Sequence, residues 1–162
     1  MKDLPTSDSS DRLLVFEVGG TFYALPIGDI TEVTEVARIA SVPSLRASVG
    51  GVMNHHGDVL LVVHRAALFE VGEGSLSEPQ NVLVLGKSLD DPSRLGLPVD
   101  AIIGLVDGPG GTANGTDDVV VDRRPLGGRL VNVLDPQRLL MRAVQVIEES
   151  VVGADAMQGV QT

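Results

Sequence analysis

Short apolar runs recur along most of this chain of 162 residues, each rich in β-branched residues and bounded by Gly, Pro or Asp. Their alternating pattern and β-branched composition between turn-forming residues are typical of short strands. They predict strands at 13–18, 21–27, 59–64, 81–86, 95–103, 119–122 and 129–134. Gly19 and Gly20 lie between the first two runs and predict a tight hairpin turn, because glycine adopts positive φ angles at low cost. The chain is therefore predicted to be mainly β.

Two segments predict helices. Residues 41–49 carry Pro43 near their start and are followed by two glycines, which suits about two helical turns. Near the C-terminus, Asp135 can cap a helix whose first position is Pro136. Apolar residues then recur at helical spacing and give that helix one apolar face. We expect this closing helix at 136–151, packed against the strands.

A Gly/Ser/Glu-rich segment at 71–79 separates the first group of strands from the second. It predicts a hinge within a single domain at 13–151, between one lobe at about 13–70 and another at about 80–134. Residues 1–12 and 152–162 are expected to be disordered tails. The polar N-terminus lacks the features of a signal peptide, so a cytoplasmic protein is expected.

The charge and hydropathy of the chain disfavour nucleic acid and membrane insertion. Acidic residues number 22 against 12 basic ones, and the net charge of −10 would repel phosphate backbones and anionic lipids. The longest apolar run, 59–63, is far shorter than the roughly 20 residues of a membrane-spanning helix. The absence of cysteine excludes thiolate nucleophiles, cysteine-ligated metals and disulfides.

No arrangement of residues predicts an enzyme, a cofactor or a metal site. His55 and His56 are adjacent and are expected to point in different directions, while His64 would lie about 26 Å along a strand from His56. The carboxylate pairs, such as Glu32 with Glu35, occur in polar segments without the burial that shifts a catalytic pKa. A ligand-binding or enzymatic barrel is a further alternative.

Several motifs, in order and at matching spacing, resemble the CheW-like family of chemotaxis coupling proteins over about 13–146. They are Leu14-Val15-Phe16, Tyr23-Ala24-Leu25, Ile30-Thr31-Glu32-Val33, Val42-Pro43, Gly51-Val52-Met53-Asn54-His55-His56-Gly57, Val59-Leu60, Gly96-Leu97-Pro98-Val99-Asp100-Ala101-Ile102 and Gly128-Arg129-Leu130-Val131-Asn132-Val133-Leu134-Asp135.

The resemblance implies a fold of two small five-stranded barrels of the Src-homology-3 type, with an apolar groove between them and a C-terminal helix. It also implies a non-enzymatic adaptor in bacterial chemosensory arrays at the inner face of the membrane. The cytoplasmic tip of a methyl-accepting chemoreceptor would lie in the groove. The regulatory domain of a CheA-type histidine kinase would dock end to end with the adaptor.

Carried over from the family by position, the partner-contacting surface falls on seven residues. They are Ile30, Glu32, Val33, His56, Val82, Ile102 and Leu105. For Val82 and Ile102 the alternative is ordinary barrel core, and for Glu32 it is a solvated side chain without a specific contact.

The chain also departs from the family pattern. His56 replaces an arginine at the turn, which removes a permanent charge and a bidentate contact. Leu61, His64 and Arg65 replace the family's Pro, Asp and Leu, and the region between Val106 and Gly128 is shorter than usual. These departures leave open a second hypothesis, a divergent member that binds a receptor or another partner without coupling the kinase, as a competitor or specialised motility regulator.

Overall fold

The computed structural model describes residues 12–69, 78–88, 90–108 and 119–161, with the backbone alone for 151–161. Residues 1–11 of the predicted N-terminal tail and 71–77 of the predicted hinge lie outside the described residues.

Ten strands, one short 3-10 turn and two helices make up the described part of the chain. The strands are β1 (Arg12–Val18), β2 (Thr21–Pro26), β3 (Ile30–Glu35), β4 (Gly50–His55), β5 (Asp58–Val63), β6 (Asn81–Leu85), β7 (Leu95–Val99), β8 (Ala101–Asp107), β9 (Val120–Leu126) and β10 (Arg129–Leu134); the 3-10 turn is Ile27–Asp29, and the helices are α1 (Arg65–Leu68) and α2 (Pro136–Gln161).

The strands form two five-stranded sheets. The first has the order β8-β1-β2-β10-β9, and the second has the order β3-β6-β7-β5-β4. Neighbouring strands are antiparallel except for the parallel pairs β2–β10 and β5–β7. The prediction of a mainly β fold with two five-stranded units and a C-terminal helix is confirmed at this level.

The strand pairing contradicts the predicted order of the lobes. β1 and β2, which were expected in a lobe at 13–70, pair with β8 and β10 from the C-terminal half. The chain leaves the first sheet at the 3-10 turn, builds the whole second sheet, and returns at Asp100 between β7 and β8. The crossovers are short and are not marked by a Gly/Ser-rich segment, so the composition of 71–79 was a poor guide to the boundary.

Both predicted helices require correction. Residues 41–49 form two successive turns, with the N–H of Leu45 bonded to the carbonyl of Val42 and the N–H of Val49 bonded to that of Arg46. Gly50 and Gly51 are therefore not a helix stop but the start of β4. Helix α2 continues to Gln161, so the backbone of 152–161 is helical and not a disordered tail.

Three hydrophobic clusters explain why the strands are apolar on both faces. Leu13 and Val15 of β1 face a core within the first sheet, whereas Leu14 and Phe16 face a core shared by both sheets. In β6, Leu83 and Leu85 enter the shared core, and the alternate residues enter a third core within the second sheet. The shared core holds the two sheets together, and its edges are where a groove between them would lie.

Helix α2 closes one side of the shared core. The carboxylate of Asp135 accepts a hydrogen bond of 3.1 Å from the N–H of Gln137, which confirms the predicted N-cap. Leu139 and Ala143 are fully buried in the shared core. Within the described residues, no helix is long and apolar enough to span a membrane.

Candidate functional site

The edge strands β3 and β8 carry most of the residues assigned to partner contact. β3 is an edge of the second sheet and β8 is an edge of the first. Ile30 on β3 and Ile102 on β8 are both half-buried and pack against the shared core. Each edge thus presents part of an apolar side chain that packs on the core shared by the two sheets.

Val33 and Leu105 lie further out on the same two strands and are exposed, at 39% and 50% of their surface. In the pairing of β1 with β8, Phe16 lies opposite Ile102 and Val15 lies opposite Gly104. A β-bulge therefore leaves Ile103 without a partner residue on β1. Ile103 and Leu105 are both exposed while Ile102 packs on the shared core, as the alternation of side chains along a strand requires.

Val82 differs from the other six candidates because its side chain is completely buried. It belongs to the core within the second sheet, together with Met53 and Val62. Its burial matches the core alternative from the sequence. In this conformation Val82 offers no atom to a partner.

Glu32 and two histidines converge at the end of the β4–β5 hairpin. His55 donates a hydrogen bond from Nε2 to Glu32 Oε1 at 3.0 Å, and His56 donates one from Nε2 to the same oxygen at 2.8 Å. His55 is buried, with 3% of its side chain exposed, while His56 is exposed at 61% and Glu32 at 29%. Glu32 is therefore not the plain solvated side chain that the sequence allowed.

The backbone of the hairpin explains how two adjacent histidines reach one carboxylate. His56 has a φ of 55° and Gly57 one of 85°, so both central residues of this two-residue turn have the left-handed conformation. The side-chain oxygen of Asn54 accepts a hydrogen bond from the backbone N–H of Gly57, which stabilises the turn. The sequence-based expectation that His55 and His56 point apart was wrong, because it assumed an extended backbone at His56.

Both histidines stabilise the ionised form of Glu32. The hydrogen bond from His56 is the largest influence and lowers the pKa of the Glu32 carboxyl group; partial burial opposes this shift, and the hydrogen bond from His55 adds to it. The carboxylate is thus held as an anion beside two imidazoles. His64 takes no part in this cluster, and burial lowers its own pKa.

Comparison with known proteins agrees with this architecture. A family model described as the CheW-like domain matches residues 12–144. The chain belongs to the CheW-like domain family. Among solved structures, the CheW-like fold is shared with the scaffolding protein TtCheW from Thermoanaerobacter tengcongensis, with a TM-score of 0.64 and 18% sequence identity. That alignment covers 78% of this CheW-like chain and 89% of TtCheW. Comparison with curated proteins gave no match.

The structure shows the contacts of Asp100, a residue that lies in one of the CheW-like sequence motifs but has no predicted role. Asp100 lies at the crossover from β7 to β8, and its carboxylate accepts the N–H of Gly19 at 2.8 Å. It also pairs with the buried guanidinium of Arg65. In this CheW-like domain, Asp100 joins the β1–β2 turn of the first sheet to helix α1, which follows β5 of the second.

Proposed function

We propose that this CheW-like domain is a non-enzymatic adaptor that couples a chemoreceptor to a CheA-type histidine kinase in a bacterial chemosensory array. Family membership and the likeness to a scaffolding protein support an adaptor in chemotaxis signalling. On this proposal the protein works in the cytoplasm, held at the inner face of the membrane by its receptor.

One observation carries the receptor contact. Two edge strands from different sheets, β3 and β8, each lay a half-buried isoleucine on the shared core and an exposed apolar residue further out. Apolar strips of this kind suit a helical hairpin, whose side chains bury against them and provide the affinity. We propose that Ile30, Val33, Ile102 and Leu105 receive the receptor tip, and we call these four residues the junction surface.

The proposed groove needs curvature in both sheets. We propose that each sheet coils into a small barrel of the Src-homology-3 type. The separate cores within the first and second sheets support this, because a flat sheet packed on one partner has only one buried face.

The kinase contact is proposed at the turn that holds His56. Its ring is exposed, and it lies at the position where the family resemblance places an arginine that contacts partners. Glu32 would share this contact through its hydrogen bond to His56.

His56 also favours a second candidate function. The exposed His56 ring and the Glu32 carboxylate are hydrogen-bonded to each other. An imidazole also has fewer N–H donors than the five of a guanidinium. A weakened kinase contact would leave a protein that occupies the receptor without recruiting the kinase, which is a competitor.

Binding to a receptor fragment tests the junction surface. Leu105→Asp should weaken binding of a purified receptor cytoplasmic hairpin by about tenfold or more, because a charge would be desolvated against apolar side chains. Leu130→Asp is the matched control, since Leu130 is exposed at 60% and is not part of the junction surface. Equal binding by both variants and the wild type would contradict this use of the junction surface.

A further inference from the structure

The three side chains at the hairpin end have the composition and spacing of a metal site. Within the described residues, Glu32, His55 and His56 each offer one ligand atom, and these atoms all lie within 4.8 Å of one another. Zinc binds imidazole nitrogen and carboxylate oxygen at about 2.0–2.2 Å, so neighbouring ligands in a tetrahedral or octahedral site lie about 3.0–3.4 Å apart. The 2.8 and 3.0 Å separations of Glu32 Oε1 from the two Nε2 atoms are close to that spacing.

We propose that Glu32, His55 and His56 bind one divalent transition-metal ion of the zinc class. Two imidazoles and one carboxylate suit Zn²⁺, Co²⁺, Ni²⁺ or Cu²⁺. Ca²⁺ and Mg²⁺ are disfavoured because they take mostly oxygen ligands. Three protein ligands leave at least one coordination position open to water or to a side chain from another molecule.

The ligands are already arranged before an ion arrives. His55 is fixed by burial, and the left-handed backbone of His56 brings the second ring to the same side of the hairpin. Glu32 lies on β3 and His55 lies on β4, and these strands are at opposite ends of the order of the second sheet. A bound ion would therefore link two strands that are not hydrogen-bonded neighbours. Ordering the ligand side chains costs less free energy in a preformed site than in a flexible one, so the preformed site binds the ion more tightly.

Binding requires the Nε2 lone pair of each histidine, because that is the atom a metal ion coordinates. In the hydrogen-bonded state each Nε2 lies against Glu32 Oε1. In the metal-bound state any proton on Nε2 has left that nitrogen, either for Nδ1 of the same ring or for the solvent. The ion then replaces the two hydrogen bonds with direct coordination to Glu32 and both rings.

The site lies among the residues assigned to partner contact, but the proposal does not rest on the adaptor function. Metal binding is measured on the isolated protein without a receptor or a kinase. A failure to bind metal would leave the adaptor proposal intact, and a failure to bind a receptor would leave the metal site intact.

The experiment uses the full chain without an affinity tag, freed of metal by a chelator. Zn²⁺ is titrated in competition with a chromophoric chelator, and Co²⁺ is added separately as a spectroscopic probe. We expect one equivalent of Zn²⁺ to bind in the low-micromolar range or tighter, and Co²⁺ to give visible d–d absorption.

Two variants and a matched control assign the ligands. Glu32→Gln and His56→Asn should each weaken zinc binding by about 100-fold or more, beyond the loss typical of outer-shell residues. Asparagine tolerates the left-handed backbone at position 56, so His56→Asn should keep the turn. His64→Gln is the matched control, because His64 is not part of the cluster, and it should bind zinc like the wild type.

Two results would overturn the proposal: no zinc binding by the wild type at micromolar concentrations, or equal affinity in the wild type, Glu32→Gln and His56→Asn. Circular dichroism and thermal unfolding without metal show whether each variant is folded. His55→Asn removes the third ligand. Because the His55 ring is buried, this change can also destabilise the fold, so the conclusion rests on Glu32→Gln and His56→Asn.

Discussion

Arg65 and Asp100 form a buried ion pair at the place where the chain crosses between the two sheets. Only 10% of the Arg65 side chain and 6% of the Asp100 side chain are exposed. Burial lowers the pKa of the Arg65 guanidinium. The backbone N–H of Asp100 also donates to the carbonyl of Glu17 in β1 at 2.9 Å. The pair and this hydrogen bond therefore tie the crossover from β7 to β8 to helix α1 and to strand β1.

Removing the charge of one member of this pair should lower the free energy of unfolding more than removing both charges. Arg65→Met would leave the Asp100 carboxylate buried without a counter-charge, at a cost of about 3–5 kcal/mol in the free energy of unfolding. Adding Asp100→Asn removes that charge and keeps an acceptor for the N–H of Gly19. The double variant should therefore be more stable than Arg65→Met alone, as measured by urea unfolding. Additive costs for the two changes would contradict this account.

Val82 and Leu105 should separate core packing from partner contact. Val82→Ala should lower the free energy of unfolding by about 1.5–3 kcal/mol, because the side chain is fully buried. Leu105→Ala should change it by no more than about 0.5 kcal/mol, because half of that side chain is already in water. Urea unfolding measures both. A large loss of stability in Leu105→Ala would assign that residue to the core.

Asp91 should contribute to the acid sensitivity of the fold. The Ser93 hydroxyl at 2.6 Å is the main cause that lowers the pKa of Asp91 to about 2, and the backbone N–H groups of Lys87 and Ser93 add to the shift. A lowered pKa in the folded state means that the stabilising contribution is present above the unfolded pKa of about 4 and is lost as the pH falls towards 2.

Asp91→Asn tests this pH dependence, because asparagine keeps an acceptor but does not titrate. The wild type should be more stable than the variant near neutral pH, and the difference should shrink as the pH falls below about 4. Urea unfolding at several pH values gives the comparison. A difference in stability that stays constant across the acidic range would remove Asp91 from the explanation.

His56→Arg should strengthen association with a CheA-type kinase if the turn is the kinase contact. A guanidinium restores a permanent charge, and its five N–H donors leave some free for the kinase even when others bind Glu32. Val59→Arg is the matched control, because it adds the same charge to the same hairpin at a residue that is 75% exposed. A pull-down with the purified kinase domain compares the two variants with the wild type. No gain in His56→Arg, or an equal gain in both variants, would argue against a specific role for the turn.

The sequence predicted the strands best where both faces are buried. Continuous apolar runs such as those of β1 and β6 serve two cores at once, so their composition alone identifies them. β4 was missed because it begins with Gly50 and Gly51, which resemble the end of a helix. Those glycines are required by close packing, since a Cβ at Gly50 would collide with the carbonyl oxygen of Val62 and one at Gly51 with that of Ala40.

The candidate metal site could not be predicted because it depends on distant pairing and on one backbone angle. Glu32 precedes the histidines by more than twenty residues, and no local pattern joins them. The left-handed conformation of His56 then decides where its ring points. By contrast, the family resemblance placed Glu32 and His56 on one surface from their positions alone, and the structure brings these two side chains into contact.

Reconstitution of the signalling complex tests the adaptor proposal most directly. Vesicles bearing the cognate receptor are mixed with its histidine kinase, with and without this protein, and the kinase that sediments with the vesicles is measured. The account predicts that the kinase sediments only when the wild-type protein is present, and that Leu105→Asp reduces the amount while Leu130→Asp does not. Sedimentation of the kinase to the same extent without the protein, or no recruitment although the protein itself binds the vesicles, would contradict the coupling role.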